Sequence, residues 1–401
     1  MRSLVRAAAP SPHRLDSPRA WAVAVAGSAI NAWTFGVFYS FGAAFEQMAE
    51  EFDAGLGATA AVFSITTFLF FAGGIVTGPI GDRHGARPLV LFGALAIGSG
   101  LLLTSHVTSL AVGYVTYGLG VGAGIAAYLV PMTACVGGWF DRRRSVALGL
   151  YTGGIGIGTV ALVPLSEWLI RTQGWRFSFR VLGASSFVLY LVAAMVITRP
   201  PTVARPAARR PVGQIIRAPW FAHLYLAGLF MSTALFVPFV FIVKYATEHG
   251  ASSQAAAALI SVIGVGSVLG RFGLGALGAR INPFTLSFLA YAIQPFGYLI
   301  WLLSGGSYLA LATFAAILGA AYGGYVALGP VLAAELYGLE GLGAVLGVLF
   351  TSAGLGGLIG PIAAGVLLDR TDSFTVVILT SIALCTLSTV VFLPLRNGRP
   401  A

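Results

Sequence analysis

The chain has 401 residues, of which 57% are apolar and 9% charged, and its mean hydropathy is +0.89. A soluble globular domain carries ~25% charged residues, so the composition excludes that class and describes a polytopic membrane protein. The formal charge of +10 does not point to nucleic acid, because the arginines are confined to short segments between apolar runs, the pattern that orients a membrane protein.

Residues 1–19 are rich in Arg, Ala and Pro and contain no apolar core. They read as a cytoplasmic tail and not as a signal peptide. Runs long enough to span a bilayer, which needs ~20 residues each, follow at 20–46, 57–80, 88–105, 107–138, 144–168, 179–198, 219–246, 252–279, 284–304, 306–334, 342–368 and 374–395. The expected fold is therefore all-α, with twelve transmembrane helices. The Pro/Arg-rich stretch 199–217 is read as a cytoplasmic linker between two six-helix halves, 20–198 and 218–395, with 396–401 as a second cytoplasmic tail. Gly supplies 53 residues, about twice the usual ~7%, as expected where helices cross closely. Cys135 and Cys385 lie in apolar runs without metal-ligand or disulfide spacing, and neither a metal nor a cofactor is expected.

With both termini placed in the cytoplasm, 17 of the 23 Lys and Arg residues fall on that side and five on the other, leaving Arg271 inside a span. This asymmetry agrees with the positive-inside rule and predicts a multi-pass protein of the cell membrane. The halves echo one another. G-P-I-G-D-R-H-G-A-R-P at 78–88 follows the second span, as L-G-A-L-G-A-R-I-N-P at 274–283 follows the eighth. G-G-I-G-I-G at 153–158 parallels G-L-G-G-L-I-G-P at 354–361. A duplicated six-plus-six bundle implies a transporter with its site at the midplane between halves.

The 78–88 segment resembles the major facilitator signature G-x-x-x-D-R-x-G-x-R, matching at Gly78, Asp82, Arg83, Gly85 and Arg87. Charged groups there can cap helix ends and lock one conformation. Asp82, Arg83 and Arg87, with Asp141, Arg142 and Arg143 of the fourth-to-fifth loop, are therefore the gating candidates. A narrower resemblance runs along almost the whole chain. The first span, G-G-W-F-D-R-R-R-S-V-A-L-G-L-Y-T-G-G-I-G at 137–156, P-V-L-A-A-E-L-Y-G-L-E-G-L-G-A-V-L-G at 330–347 and G-P-I-A-A-G-V-L-L-D-R-T-D-S-F at 360–374 are similar to segments of monocarboxylate transporters. That resemblance implies carriage of a small monocarboxylate by alternating access with proton symport, and it places the family's substrate-binding arginine on Arg271. Bacterial oxalate/formate exchangers are similar in the same way. Two positions depart from the family pattern. Ser267 stands where the animal members have an Asp one turn before the arginine, and Tyr39 where they have a first-helix lysine; both family residues are linked to proton coupling.

Arg271 also stands out on its own. It lies in S-V-I-G-V-G-S-V-L-G-R-F-G-L-G-A-L-G-A-R, nine residues and thus roughly 13 Å from the end of the run at Arg280. An arginine in hydrocarbon costs at least ~2.5 kcal/mol and normally faces a cavity and a partner. That partner is either a carboxylate on a neighbouring helix or an anionic substrate, and the spans hold almost no carboxylates. One deep cation suits one negative charge, so a monocarboxylate of the lactate or pyruvate type is favoured over a dianion. The alternatives are an oxalate/formate type of exchange or export of another organic anion.

Further wall candidates are Tyr322 and Tyr325, which share a face of the tenth span, Tyr117 and Tyr128 on the fourth, Tyr39, Ser267 and Phe350. A phenol can bond a carboxylate and tolerate an apolar wall; the plain alternative is packing. Glu167, Glu335 and Asp369 are expected near span ends, within reach of solvent. No G-x-S-x-G, H-E-x-x-H or Walker loop is present, so an enzyme is not expected. The expected partners are a small organic anion, H⁺ and lipid, with the protein acting as a monomer.

Overall fold

A backbone in hydrocarbon must satisfy its own hydrogen bonds, which leaves these apolar runs the α-helix. The computed structural model describes residues 15–201, 212–277, 280–338 and 342–396, and among them no strand occurs. Most of the expected N-terminal tail, residues 202–211 of the expected linker and the last five residues lie outside the described residues.

The spans are α1 (Pro18–Glu51), α2 (Leu56–Ala72 continued by Gly74–His84), α3 (Ala86–Thr104), α4 (Leu110–Trp139), α5 (Arg144–Gln173), α6 (Trp175–Val196), α7 (Phe221–Glu248), α8 (Ser253–Leu277), α9 (Pro283–Leu302), α10 (Tyr308–Tyr337), α11 (Leu342–Thr371) and α12 (Phe374–Leu395). Eleven qualify singly as membrane-crossing helices; α2 qualifies as a pair bent by 47° at Gly73. A short helical turn, Val212–Ile216, precedes α7.

Local sequence explains the starts and breaks. Pro18 occupies the first turn of α1, where its missing N–H costs nothing, and the Ser17 hydroxyl accepts from the Ala20 amide (3.3 Å). α1 is interrupted at Ser40, whose hydroxyl turns back onto the Gly36 carbonyl (2.7 Å), the competition by which serine weakens a helix ladder. α7 is interrupted at Phe236, just before Pro238. The two halves thus carry a break in corresponding helices.

Packing follows the glycines. A Cβ on Gly158 would run into the Ala32 carbonyl, and one on Gly323 would run into the Ser267 carbonyl while lying 2.9 Å from the Arg271 amide. Only glycine allows α1 to lie against α5, and α8 against α10, at these separations. The halves join along two seams, α2 with α11 and α5 with α8.

An even number of passes puts both termini on one face, called here the terminal face. The opposite face is closed. There Gly42 of α1 packs against the Phe239 carbonyl of α7, Lys244 pairs with Glu46 (3.0 Å), and the Asp369 carboxylate of α11 accepts from the Leu56 (2.8 Å) and Gly57 (3.0 Å) amides at the start of α2. A carboxylate satisfying the free amides of a helix N-terminus is favoured by hydrogen bonding and by the helix dipole. At the terminal face, α4 and α10 make no comparable contact among the described residues.

Candidate functional site

Arg271 lies three-quarters of the way along α8, on the side facing α5 and α10. Its Nη1 donates to the Thr152 carbonyl of α5 (2.9 Å), a bond that crosses between the halves. Its Nε and Nη2 are buried and have no partner. Among the described residues no carboxylate comes within ion-pair distance, so the sequence alternative of a protein carboxylate partner is not realised. A buried donor left unmade costs about 1–3 kcal/mol, more when charged. Nε and Nη2 form the side-on edge of the guanidinium, two parallel donors that match the two oxygens of a carboxylate.

The surroundings come from three other helices. The Arg271 guanidinium sits 5.7 Å from the centre of the Tyr322 ring of α10, within range of a cation–π attraction. The Tyr322 hydroxyl meets that of Tyr39 of α1 at 3.2 Å, again across the halves. Tyr39, the last residue before the α1 break, stacks on Phe239, just beyond the α7 break (4.3 Å, 17°). The two helix interruptions therefore place one aromatic ring from each half face to face above the arginine. Phe35, Phe38, Phe63 and Phe70 extend this apolar layer into the amino-terminal half. Ser267, one turn before Arg271, is 3% exposed and its hydroxyl has no partner. The arrangement can hold one carboxylate by two charge-assisted bonds beneath an aromatic roof.

Residues 24–307 match the Major Facilitator Superfamily. Monocarboxylate transporter 13 of Bos taurus is 31% identical over 376 residues, covering 90% of this chain and 85% of the relative. The chain belongs to the monocarboxylate transporter family of the Major Facilitator Superfamily. Monocarboxylate transporter 11 of Homo sapiens is 28% identical over 405 residues, 96% of this chain and 85% of that one. Among solved structures, a bacterial homologue of the human lysosomal transporter Spinster superposes with a TM-score of 0.77 at 15% identity, over 96% of this chain and 98% of that one, which shows the shared fold. The protein is thus a membrane transporter and not an enzyme.

Of the remaining predicted residues, the transporter keeps several apart from Arg271. Tyr128 is buried in the amino-terminal half, where its hydroxyl donates to Asn31 Oδ1 (3.1 Å). Tyr117 lies in the π-helical stretch Tyr114–Val121 of α4 and packs on Phe41 and Phe179. Tyr325 stands edge-on to Tyr291 (6.0 Å), with its hydroxyl against Gly228. Phe350 meets Phe71 across the α2–α11 seam (6.4 Å).

Among the gating candidates, Asp82, Arg83, Arg87 and Asp141 are exposed. The Arg83 carbonyl accepts from Arg199 (2.9 Å), and the Arg142 and Arg143 amides donate to Asp16 (3.2 Å each).

One expectation about acidic residues is corrected. Glu167 is only 4% exposed, because α5 continues to Gln173, past the expected end at 168. Asp369 is exposed near its span end, as expected, and also caps α2 across the seam. The Thr152 carbonyl and Phe239 were not legible in the sequence, since a main-chain acceptor carries no residue signature and one phenylalanine among 27 does not stand out.

Proposed function

We propose that this transporter carries a small monocarboxylate of the lactate or pyruvate type by alternating access, and that a proton moves with it. The observation that supports this most is the pair of buried, unpartnered donors Nε and Nη2 on Arg271. A substrate carboxylate occupying them relieves a buried, half-satisfied charge, and that relief favours closure of the loaded carrier over the empty one. A single such cation fits one negative charge. The names of the animal relatives support the same substrate class. Ser267, Tyr322 and Tyr39 complete the wall. We take the terminal face as cytoplasmic on the Lys/Arg asymmetry, and the membrane as the cell membrane.

A second reading, exchange of one organic anion for another, is supported by one feature. The position one turn before Arg271 is Ser267, so the site has no carboxylate of its own to carry a proton. Uptake of labelled L-lactate and pyruvate into proteoliposomes separates the two. Uptake driven by an inward proton gradient and lost in Arg271→Ala supports symport. Gradient-independent uptake stimulated by internal anion supports exchange. Uptake unaffected by Arg271→Ala overturns the proposed site in either form.

A further inference from the structure

The outer end of the seam between the halves holds a cavity of about 170 Å³ that is open to the outer surface. Its walls come from both halves: Glu46, Gln47 and Glu50 of α1, Glu167 and Arg171 of α5, Lys244 and Thr247 of α7, and Ser253 of α8. The cavity therefore exists only while the outer face is closed. Opening that face must separate α1 and α5 from α7 and α8 and expose everything lining it.

Glu167 has an environment unlike the other acids here. It is 4% exposed, and among the described residues no hydrogen bond or ion pair reaches its carboxylate. The nearest basic groups on the other elements are otherwise engaged. On α7, Lys244 is held by Glu46 (3.0 Å) and Glu248 (2.7 Å), so its charge is already matched. On α5, Arg171, one turn on and lining the same cavity, is a cation whose charge reaches Glu167, though it is exposed to solvent, and Ser166 beside Glu167 pairs with Ser178 of α6 (3.0 Å). On α6, Arg176 is bound to Glu51 (2.6 Å) and Arg180 is directed at Ser105. On α1, Glu46 and Glu50 add negative charge and no donor. On α8 the lining residue is the neutral Ser253. At the turn after α7, His249 is stacked on Tyr245. Burying an ionised carboxylate in this place, with no hydrogen bond, beside two other acids and with only the exposed Arg171 to balance it, is costly.

We infer that Glu167 is a proton-binding site of the outer gate, occupied when the two halves close over it. A proton from external water forms the O–H bond of the Glu167 carboxyl as the halves close around it, and it returns to external water when the gate reopens. External acidity then favours the outer-closed arrangement whether or not substrate is present. This is distinct from proton symport, because the proton enters and leaves on the same side. It requires only that the protein alternates between two arrangements, and it stands independently of which anion is carried.

The test uses the full-length, substrate-free protein in lipid nanodiscs. Spin labels are placed at Thr108 and Ser252, exposed outer-loop positions on opposite halves, after Cys135 and Cys385 are replaced by alanine. Distance distributions are recorded from pH 8 to pH 5. One linked proton changes the closed-to-open ratio by at most about tenfold per pH unit. The native protein should shift toward the short-distance, closed population by about tenfold or more over that range. Glu167→Gln, which keeps the shape and removes the titration, should stay closed with less than about a twofold change. Glu167→Asp, which keeps a carboxyl, should retain the shift and shows that the response belongs to the acid and not to the side chain's volume. Populations of the native protein that do not move with pH overturn the proposal. So does a Glu167→Gln protein that responds as the native one does, which would assign the effect to His106, His249 or another acid.

Discussion

Replacing Arg271 by lysine keeps the charge and removes the fork, so it tests geometry and not merely sign. In the native protein one terminal nitrogen is committed to the Thr152 carbonyl (2.9 Å), and Nε with Nη2 remains for the substrate. An ammonium on a shorter reach can serve the carbonyl and one carboxylate oxygen, but it cannot present two parallel donors to one carboxylate. The variant therefore forfeits about one charge-assisted hydrogen bond, worth about 1.5–3 kcal/mol. At about 1.4 kcal/mol per decade, that is a roughly 10- to 100-fold loss of affinity. Titration of detergent-solubilised protein with lactate or pyruvate, followed by tryptophan fluorescence or calorimetry, reads the change directly. Transport at saturating substrate should fall less than affinity does. A lysine variant that binds within about threefold of native, less than 0.7 kcal/mol, refutes bidentate recognition and leaves only a point charge at the site.

Three further outcomes follow from the same geometry. In Gly323→Ala the new methyl lies 2.9 Å from the Arg271 amide and collides with the Ser267 carbonyl, so α8 and α10 must separate; overpacking of this kind costs about 1–3 kcal/mol, and both melting temperature and substrate affinity should fall, whereas an unchanged melting curve contradicts the close crossing. Asp369→Asn weakens the carboxylate cap on α2 (2.8 and 3.0 Å) by about 0.5–2 kcal/mol, which should raise thiol labelling of an outer cysteine introduced at Gln47 several-fold; labelling equal to that of the parent denies the cap a part in closure. Tyr39→Phe deletes the hydroxyl contact to Tyr322 (3.2 Å) but keeps the stack on Phe239. Because that bond joins the halves, its loss of about 0.5–1.5 kcal/mol should favour the outer-open population by up to about tenfold, and an unchanged distance distribution would argue that the contact is incidental.

The topology was legible because hydrocarbon imposes it. Twelve apolar runs, one Pro/Arg-rich break and paired glycine motifs leave little freedom once each backbone must bond to itself. Arg271 was legible for a related reason, since a permanent cation far from a span end has few physical explanations. The tyrosines were not separable by sequence. Tyr322 and Tyr325 occupy the same face of α10, yet one reaches Arg271 while the other packs on Tyr291. Tyr117 and Tyr128 satisfy the core of the amino-terminal half instead.

Helix ends misled in one instructive way. Glu167 and Arg171 looked like the polar margin of a span ending at 168, but α5 runs on to Gln173 and packs against α1 and α8 there. A polar residue near the end of an apolar run is exposed only if nothing covers it, and what surrounds this one comes from α1 of its own half and from α7 and α8 of the other. Asp369 stays exposed at its span end, yet its hydrogen-bond partners lie more than 300 residues away.

The central claim is that a substrate carboxylate completes Arg271. The most direct measurement compares binding of lactate with binding of lactamide, its neutral amide of nearly the same shape, to native protein and to Arg271→Ala. Native protein should bind lactate and not lactamide, and the alanine variant should bind neither. Equal binding of lactate and lactamide by the native protein, or lactate binding that survives in Arg271→Ala, would contradict the claim.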